Sequence, residues 1–174
     1  GLGGGAGGGV LSAGGGYGGR GGCNGLADYY SAPGAGPTNG PAAPPLTAGS
    51  GGGYGTDINA GPGGRGGGML RIEATNAVTL NGTISANGAA GNLFSGCGSG
   101  GSVEIWCKTF TGSGNLMANG AAYNMGGGGG RLAVMYDPAA QAATNKPTGV
   151  LSAAGGASAR AGAVSGDIGS LYFP

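Results

Sequence analysis

The chain has 174 residues, of which 50 are Gly, about four times the usual share of roughly 7%. Charged residues make up 7%, against about 25% in ordinary domains, there is no His, and the net charge is +1. That balance leaves no electrostatic basis for nucleic acid or anionic membrane as a partner, and the missing G-X-Y period excludes collagen.

Residues 1–24 form a half-unit that contains Gly8-Gly-Val-Leu-Ser-Ala-Gly-Gly15. A loop over 25–67 follows, rich in Pro, Ala and Gly, with Pro33, Pro37, Pro41, Pro44 and Pro45 favouring extended backbone. Three units come next, 68–100, 101–129 and 130–168, and the half-unit 169–174 ends the sequence. Each unit opens on a glycine and a strand pattern. Gly68-Met-Leu-Arg-Ile-Glu-Ala74 aligns with Gly101-Ser-Val-Glu-Ile-Trp-Cys107, with Gly130-Arg-Leu-Ala-Val-Met-Tyr136 and with Gly169-Ser-Leu-Tyr-Phe-Pro174. One face carries Leu70, Val103, Leu132 and Leu171. The other carries Arg71, Glu104, Ala133 and Tyr172, which period-two alternation places outside, with Arg71 beside Glu104. The second part of the unit aligns as Asn81–Gly88, Ser113–Gly120 and Thr148–Gly155, with Gly8–Gly15 as a further copy. Asn-Gly at 87–88 and at 119–120 predicts turns with positive φ.

A repeat of about 30 residues with strand, turn, strand and glycine return has the size of one solenoid turn. Glycine tracts, lacking Cβ, can approach closely and bond laterally as polyproline-II-like strands, but only on a scaffold. The expectation is an all-β chain: a glycine-rich β-solenoid-like repeat with packed polyproline-II/polyglycine-type tracts. Essentially no helix is predicted, apart from a few residues around Ala139–Ala143.

Little in the sequence carries chemistry. Gly14-Gly-Gly-Tyr-Gly-Gly19 fits a phosphate-loop pattern but lacks the strand before it and the helix after it. The Arg-Gly-Gly pairs at Arg20 and Arg65 are expected to bond carbonyls of the glycine tracts. The acids Asp28, Asp57, Glu73, Glu104, Asp137 and Asp167 are scattered, and a Ser or Cys nucleophile would have no His base. Neither an enzyme, a cofactor nor a metal site is therefore predicted. Cys23 and Cys97 are the predicted disulfide pair, with Cys107 an inward free thiol. Asn81-Gly-Thr is a glycosylation candidate and, with the low charge, leans towards an extracellular setting. Trp106, Tyr172, Tyr17, Tyr29, Tyr30, Tyr54 and Tyr123 could stack on carbohydrate, cover the glycine layer or meet another subunit. No stretch approaches 18 apolar residues, so no membrane insertion is expected.

Several motifs carry a resemblance: Tyr17-Gly-Gly-Arg-Gly-Gly-Cys23, Gly64-Arg-Gly-Gly-Gly68, Leu80-Asn-Gly-Thr83, Gly98-Ser-Gly-Gly-Ser-Val-Glu-Ile105, Thr111-Gly-Ser-Gly114 and Gly126-Gly-Gly-Gly-Gly-Arg131. In order and spacing they resemble a family of glycine-rich proteins of plants, with related repeats in large bacterial surface proteins. The resemblance implies an extracytoplasmic location and a repeat scaffold, and no catalytic residues. The chain is expected to depart from the plant proteins by lacking their surrounding domains and membrane anchor.

The two half-units would make one whole unit if one copy's C-terminus met the next copy's N-terminus. The expected function is thus an extracellular fibre subunit, partnered with itself head to tail. Val10 and Leu11 would meet Leu171, Tyr172 and Phe173. The alternative is a segment of a cell-surface adhesin that presents the Gly25–Ser50 and Asp137–Pro147 loops to glycans.

Overall fold

The computed structural model describes residues 13–24, 35–39, 47–55 and 61–174. In chain order the elements are β1 (Cys23–Asn24), β2 (Met69–Glu73), β3 (Ala77–Thr79), β4 (Thr83–Ser85), β5 (Ser102–Trp106), β6 (Thr109–Thr111), β7 (Asn115–Met117), β8 (Arg131–Met135), α1 (Pro138–Ala142), β9 (Leu151–Ser152), β10 (Ala163–Val164) and β11 (Ser170–Tyr172).

The strands form four small sheets. One is four-stranded and parallel, in the order β11-β8-β5-β2. A three-stranded parallel sheet, β4-β7-β9, and a parallel pair, β3-β6, lie in the same sequence of rows, and β1 pairs antiparallel with β10. The register is the one the alignment predicts, with Leu70 opposite Val103, Val103 opposite Leu132 and Leu132 opposite Leu171. Val103, Ile105, Phe110, Leu116, Leu132 and Val134 form the apolar core between the sheets. Each such side chain removed from water contributes about 1.5–3 kcal/mol. Between β6 and β7 the chain turns at Gly112, whose φ of +111° suits Gly alone.

The all-β character with little helix holds; the solenoid does not. A solenoid repeat touches only its neighbours along the chain. Here the strands sit in separate, mostly parallel sheets of unequal size, and the glycine tracts join distant parts of the chain in one cross-linked block. The Gly128 N–H donates to Gly15 O at 2.9 Å, and the Asp167 N–H donates to Arg20 O at 2.8 Å. The first glycine tract is spent in the same way, with Gly14 N–H on Gly22 O, Gly15 N–H on Cys97 O and Gly19 N–H on Gly129 O. Close approach is what requires glycine. A β-carbon on Gly127 would overlap the carbonyl oxygen of Gly98, and one on Gly14 that of Gly126. Such contacts put Cα–H groups against carbonyls in place of side-chain packing.

The predicted outer face is also corrected. Glu104 and Ala133 are fully buried, because β5 and β8 are covered on both faces. Described parts of the 25–67 loop, at Asn39 and Thr47, provide some of the cover. Ser102 Oγ donates to Thr47 O at 2.7 Å, and Arg131 Nη2 donates to Asn39 O at 2.9 Å. Tyr17 is buried as well: its hydroxyl accepts from Thr47 Oγ1 at 2.8 Å, and the Arg131 guanidinium lies 5.1 Å from its ring centre. The arginine that reaches carbonyls across this region is therefore Arg131, while Arg20 and Arg65 are exposed.

The short helix α1 takes a strand's place beside β6. Asp137 caps it, Oδ1 accepting from Ala139 N at 2.9 Å and Ala140 N at 3.3 Å, and Pro138 starts it. Five residues are too few to hold a helix alone. Gln141 anchors it: Oε1 accepts from Phe110 N at 2.7 Å and Nε2 donates to Phe110 O at 3.0 Å. The side-chain amide thus closes the edge of β6 as a neighbouring strand would. Gln141→Ala should leave both buried backbone groups of Phe110 unpaired and lower the unfolding free energy by about 2–4 kcal/mol. Denaturant midpoints measure this, and an unchanged midpoint would refute the anchoring role.

Candidate assembly interface

Among the described residues, β2 and β11 are the edge strands of the four-stranded sheet, at opposite ends of the rows. Both present apolar side chains to solvent: Met69 and Leu70 at one end, Leu171, Tyr172 and Phe173 at the other, with Leu171 49% exposed. Val150 and Ile168 are exposed too. In the three-stranded sheet β4 and β9 are the corresponding edges.

Backbone polarity follows from the observed bonds. In a parallel pair, alternate residues turn their N–H and C=O to opposite sides. Ser102 N–H donates to Gly68 O at 3.0 Å, Arg131 N–H to Gly101 O at 2.9 Å and Ser170 N–H to Gly130 O at 3.0 Å. Ser170 and Tyr172 therefore face β8, and Leu171 turns its N–H and C=O outward. On β2 the same rule turns Met69, Arg71 and Glu73 outward.

Side chains lock successive rows together. Asn87 Oδ1 accepts from Asn119 N at 2.7 Å, and Asn119 Oδ1 accepts from Ala154 N at 2.8 Å and Ser152 Oγ at 2.7 Å. Asn115 Oδ1 accepts from Val150 N at 3.1 Å, and Thr79 and Thr111 share a hydroxyl bond of 3.0 Å. This corrects the Asn-Gly turns. Among the described residues positive φ occurs at Phe94, Gly112 and Gly162 and not at these pairs. The asparagines instead lend an acceptor to the next row. The repetition of Asn one unit apart was the available signal for that role.

Arg71 meets Glu104 as predicted, Nε to Oε2 at 3.6 Å, and also pairs with Glu73 on its own strand. Trp106 Nε1 donates to Glu104 Oε1 at 2.7 Å, and the Arg71 guanidinium lies 5.9 Å from the indole ring centre. Arg71 and Trp106 line an open groove with Glu73, Lys108 and Asp137.

The remaining candidates are placed as follows. Val10 and Leu11, like Tyr29 and Tyr30, lie outside the described residues. Asn81 is exposed just before β4, its Oδ1 accepting from Ser113 N at 3.3 Å. The Cys23–Cys97 disulfide is not formed, and all three cysteines are free thiols. The backbone holds the pair in different surroundings: Cys23 is opposite Val164, whereas Cys97 N–H donates to Met125 O and Cys97 O accepts from Gly15 N, each at 2.8 Å. Burial pushes the Cys97 thiol above its usual 9.0, partly offset by a backbone hydrogen bond with Gly91. Burial raises the half-buried Cys107 likewise. Alkylation should therefore reach Cys97 only on unfolding. The buried neutral thiol favours the folded chain below the usual thiol pKa, and this contribution is lost as pH rises through the raised value. Rapid native-state labelling of Cys97 would contradict its burial. Among the described residues no three His, Cys, Asp or Glu gather into a metal-holding group, and no helix is long and apolar enough to cross a membrane.

Comparison with known proteins found no matching family model, no matching curated protein and no matching solved structure.

Proposed function

We propose that the protein is a non-enzymatic structural subunit that joins copies of itself head to tail into an extracellular fibre. The observation that carries the reading is the pair of matched open edges, β2 and β11, in one parallel sheet. Extending the observed register sets Leu171 against Leu70 of the next copy, Tyr172 against Arg71 and Phe173 against Ile72. Leu171 N–H and C=O would bond to the outward groups of Met69 and Arg71. Apolar side chains exposed in one subunit would then be covered by the next. Such a contact is heterologous, so it propagates instead of closing on itself as a twofold dimer does. It is strand addition between folded subunits.

Among the described residues the second sheet is one strand shorter, so the junction would leave room for a strand between β9 and the next copy's β4. The Gly8–Ser12 sequence, with Val10 and Leu11 as its apolar pair, suits that place, while Ala13–Gly15 are held inside their own subunit by bonds such as Gly15 N–H to Cys97 O. Negative-stain electron microscopy of the purified chain tests the reading. Long uniform fibres are expected; a monodisperse monomer that never elongates would end it.

One observation favours a second reading, glycan binding on a surface adhesin: the open groove that sets Trp106 beside Arg71, Glu73 and Lys108. At Asn39 and Thr47 the Gly25–Ser50 loop packs on β8 and β5, and Gln141 fixes the 137–147 loop. A glycan screen in which Trp106→Ala removes binding would favour this reading over assembly.

A further inference from the structure

The strands begin on glycines that stack in ladders. A β-carbon on Gly101 would overlap the carbonyl oxygen of Gly68, one on Gly130 that of Gly101, and one on Gly169 that of Gly130. A second ladder runs Gly82, Gly114, Gly149: Gly114 meets the Gly82 carbonyl, and Gly149 meets the Gly114 carbonyl. In each, every member points its bare α-carbon at the member before it.

The first members differ. Among the described residues, a β-carbon on Gly68 or on Gly82 would meet nothing within 4 Å. Neither has a positive φ, so the backbone would accept a side chain at both. Among the described residues of one subunit nothing explains why these two positions, each the start of a ladder and both at the β2 and β4 end, lack a side chain.

Resting on the assembly reading above, we infer that Gly68 and Gly82 are the register-setting seats of the junction between two copies of this chain. The Gly68 α-carbon receives the Gly169 carbonyl of the preceding copy, as Gly101 receives that of Gly68. The Met69 N–H then donates to the same carbonyl, repeating the bond from Ser102 N–H to Gly68 O. Gly82 receives the strand that fills the place between β9 and β4. A methyl group at either seat pushes the incoming carbonyl away and removes the register, while the isolated subunit is unaffected.

The test compares wild type, Gly68→Ala and Gly82→Ala by melting of the dilute monomer and by the critical concentration for fibre growth, followed by light scattering and electron microscopy. Both variants should melt at the wild-type temperature. Each should raise the critical concentration by about ten- to a hundredfold, as expected for one overpacked contact. If wild type never assembles, the proposed function itself fails. If wild type assembles and both variants assemble at the same concentration, the seats are refuted and the assembly reading stands. A lowered melting temperature for the dilute variants would also overturn the inference, because it would place the glycines' role inside the subunit.

Discussion

Gly127→Ala is expected to abolish the native fold. A β-carbon there would overlap the carbonyl oxygen of Gly98, and the chain has no direction in which to yield. Gly127 N–H donates to Ala121 O at 2.9 Å, and Gly127 O accepts from Gly156 N at 2.8 Å. The α-carbons of Gly120 and Gly166 both press on that same carbonyl. Moving residue 127 therefore disturbs three further segments. Overpacking alone costs about 1–3 kcal/mol, and each buried backbone bond lost adds about 1–3. The total is comparable with the 5–15 kcal/mol by which a typical domain is stable. Limited proteolysis and denaturant unfolding are the measurements. A protease-resistant Gly127→Ala chain with a wild-type midpoint would show that the block is not close-packed.

Under the proposed head-to-tail assembly, Leu171→Pro should leave the subunit folded and stop fibre growth. Proline removes a backbone donor, and at an edge strand the loss is tolerated when that donor points away from the sheet. Leu171 is such a position, because Ser170 and Tyr172 make the bonds to β8. Ser170→Pro is the internal contrast. It deletes the bond to Gly130 O and should loosen β11 itself. Sedimentation and electron microscopy should find monomers for Leu171→Pro under conditions in which wild type elongates, with an unchanged melting temperature. Fibres of normal length from Leu171→Pro would rule out β11 as the growing edge.

The strand positions and their register were legible because period-two alternation recurs in aligned units. Leu70, Val103, Leu132 and Leu171 mark one ladder in the sequence and occupy it in the fold. What covers the second face was not legible. Glu104 and Ala133 read as outward because alternation reports which face is apolar, and a polar face can still be buried under carbonyls. The covering segments near Asn39 and Thr47 have no period that would announce a packed role. The solenoid expectation failed for a related reason. Glycine has no side chain to reveal its neighbours, so the sequence could not show that Gly128 bonds to Gly15. Gln141 is a further case, since its place in the β6 edge depends on a helix too short to produce a periodic pattern. Of the candidate assembly residues, Leu171, Tyr172 and Phe173 are exposed at an open edge, a location that follows from their place as the last aligned strand.

The glycine block also bears on how stability varies with temperature. The heat-capacity increment of unfolding rises with newly wetted apolar area and falls with newly wetted peptide groups. A chain with 50 glycines, whose interior is largely carbonyls and α-carbons, exposes an unusual share of the latter. Its stability curve is accordingly flatter than that of a side-chain-cored domain of equal length. Such a chain keeps a similar margin of stability from near freezing to well above ambient temperature.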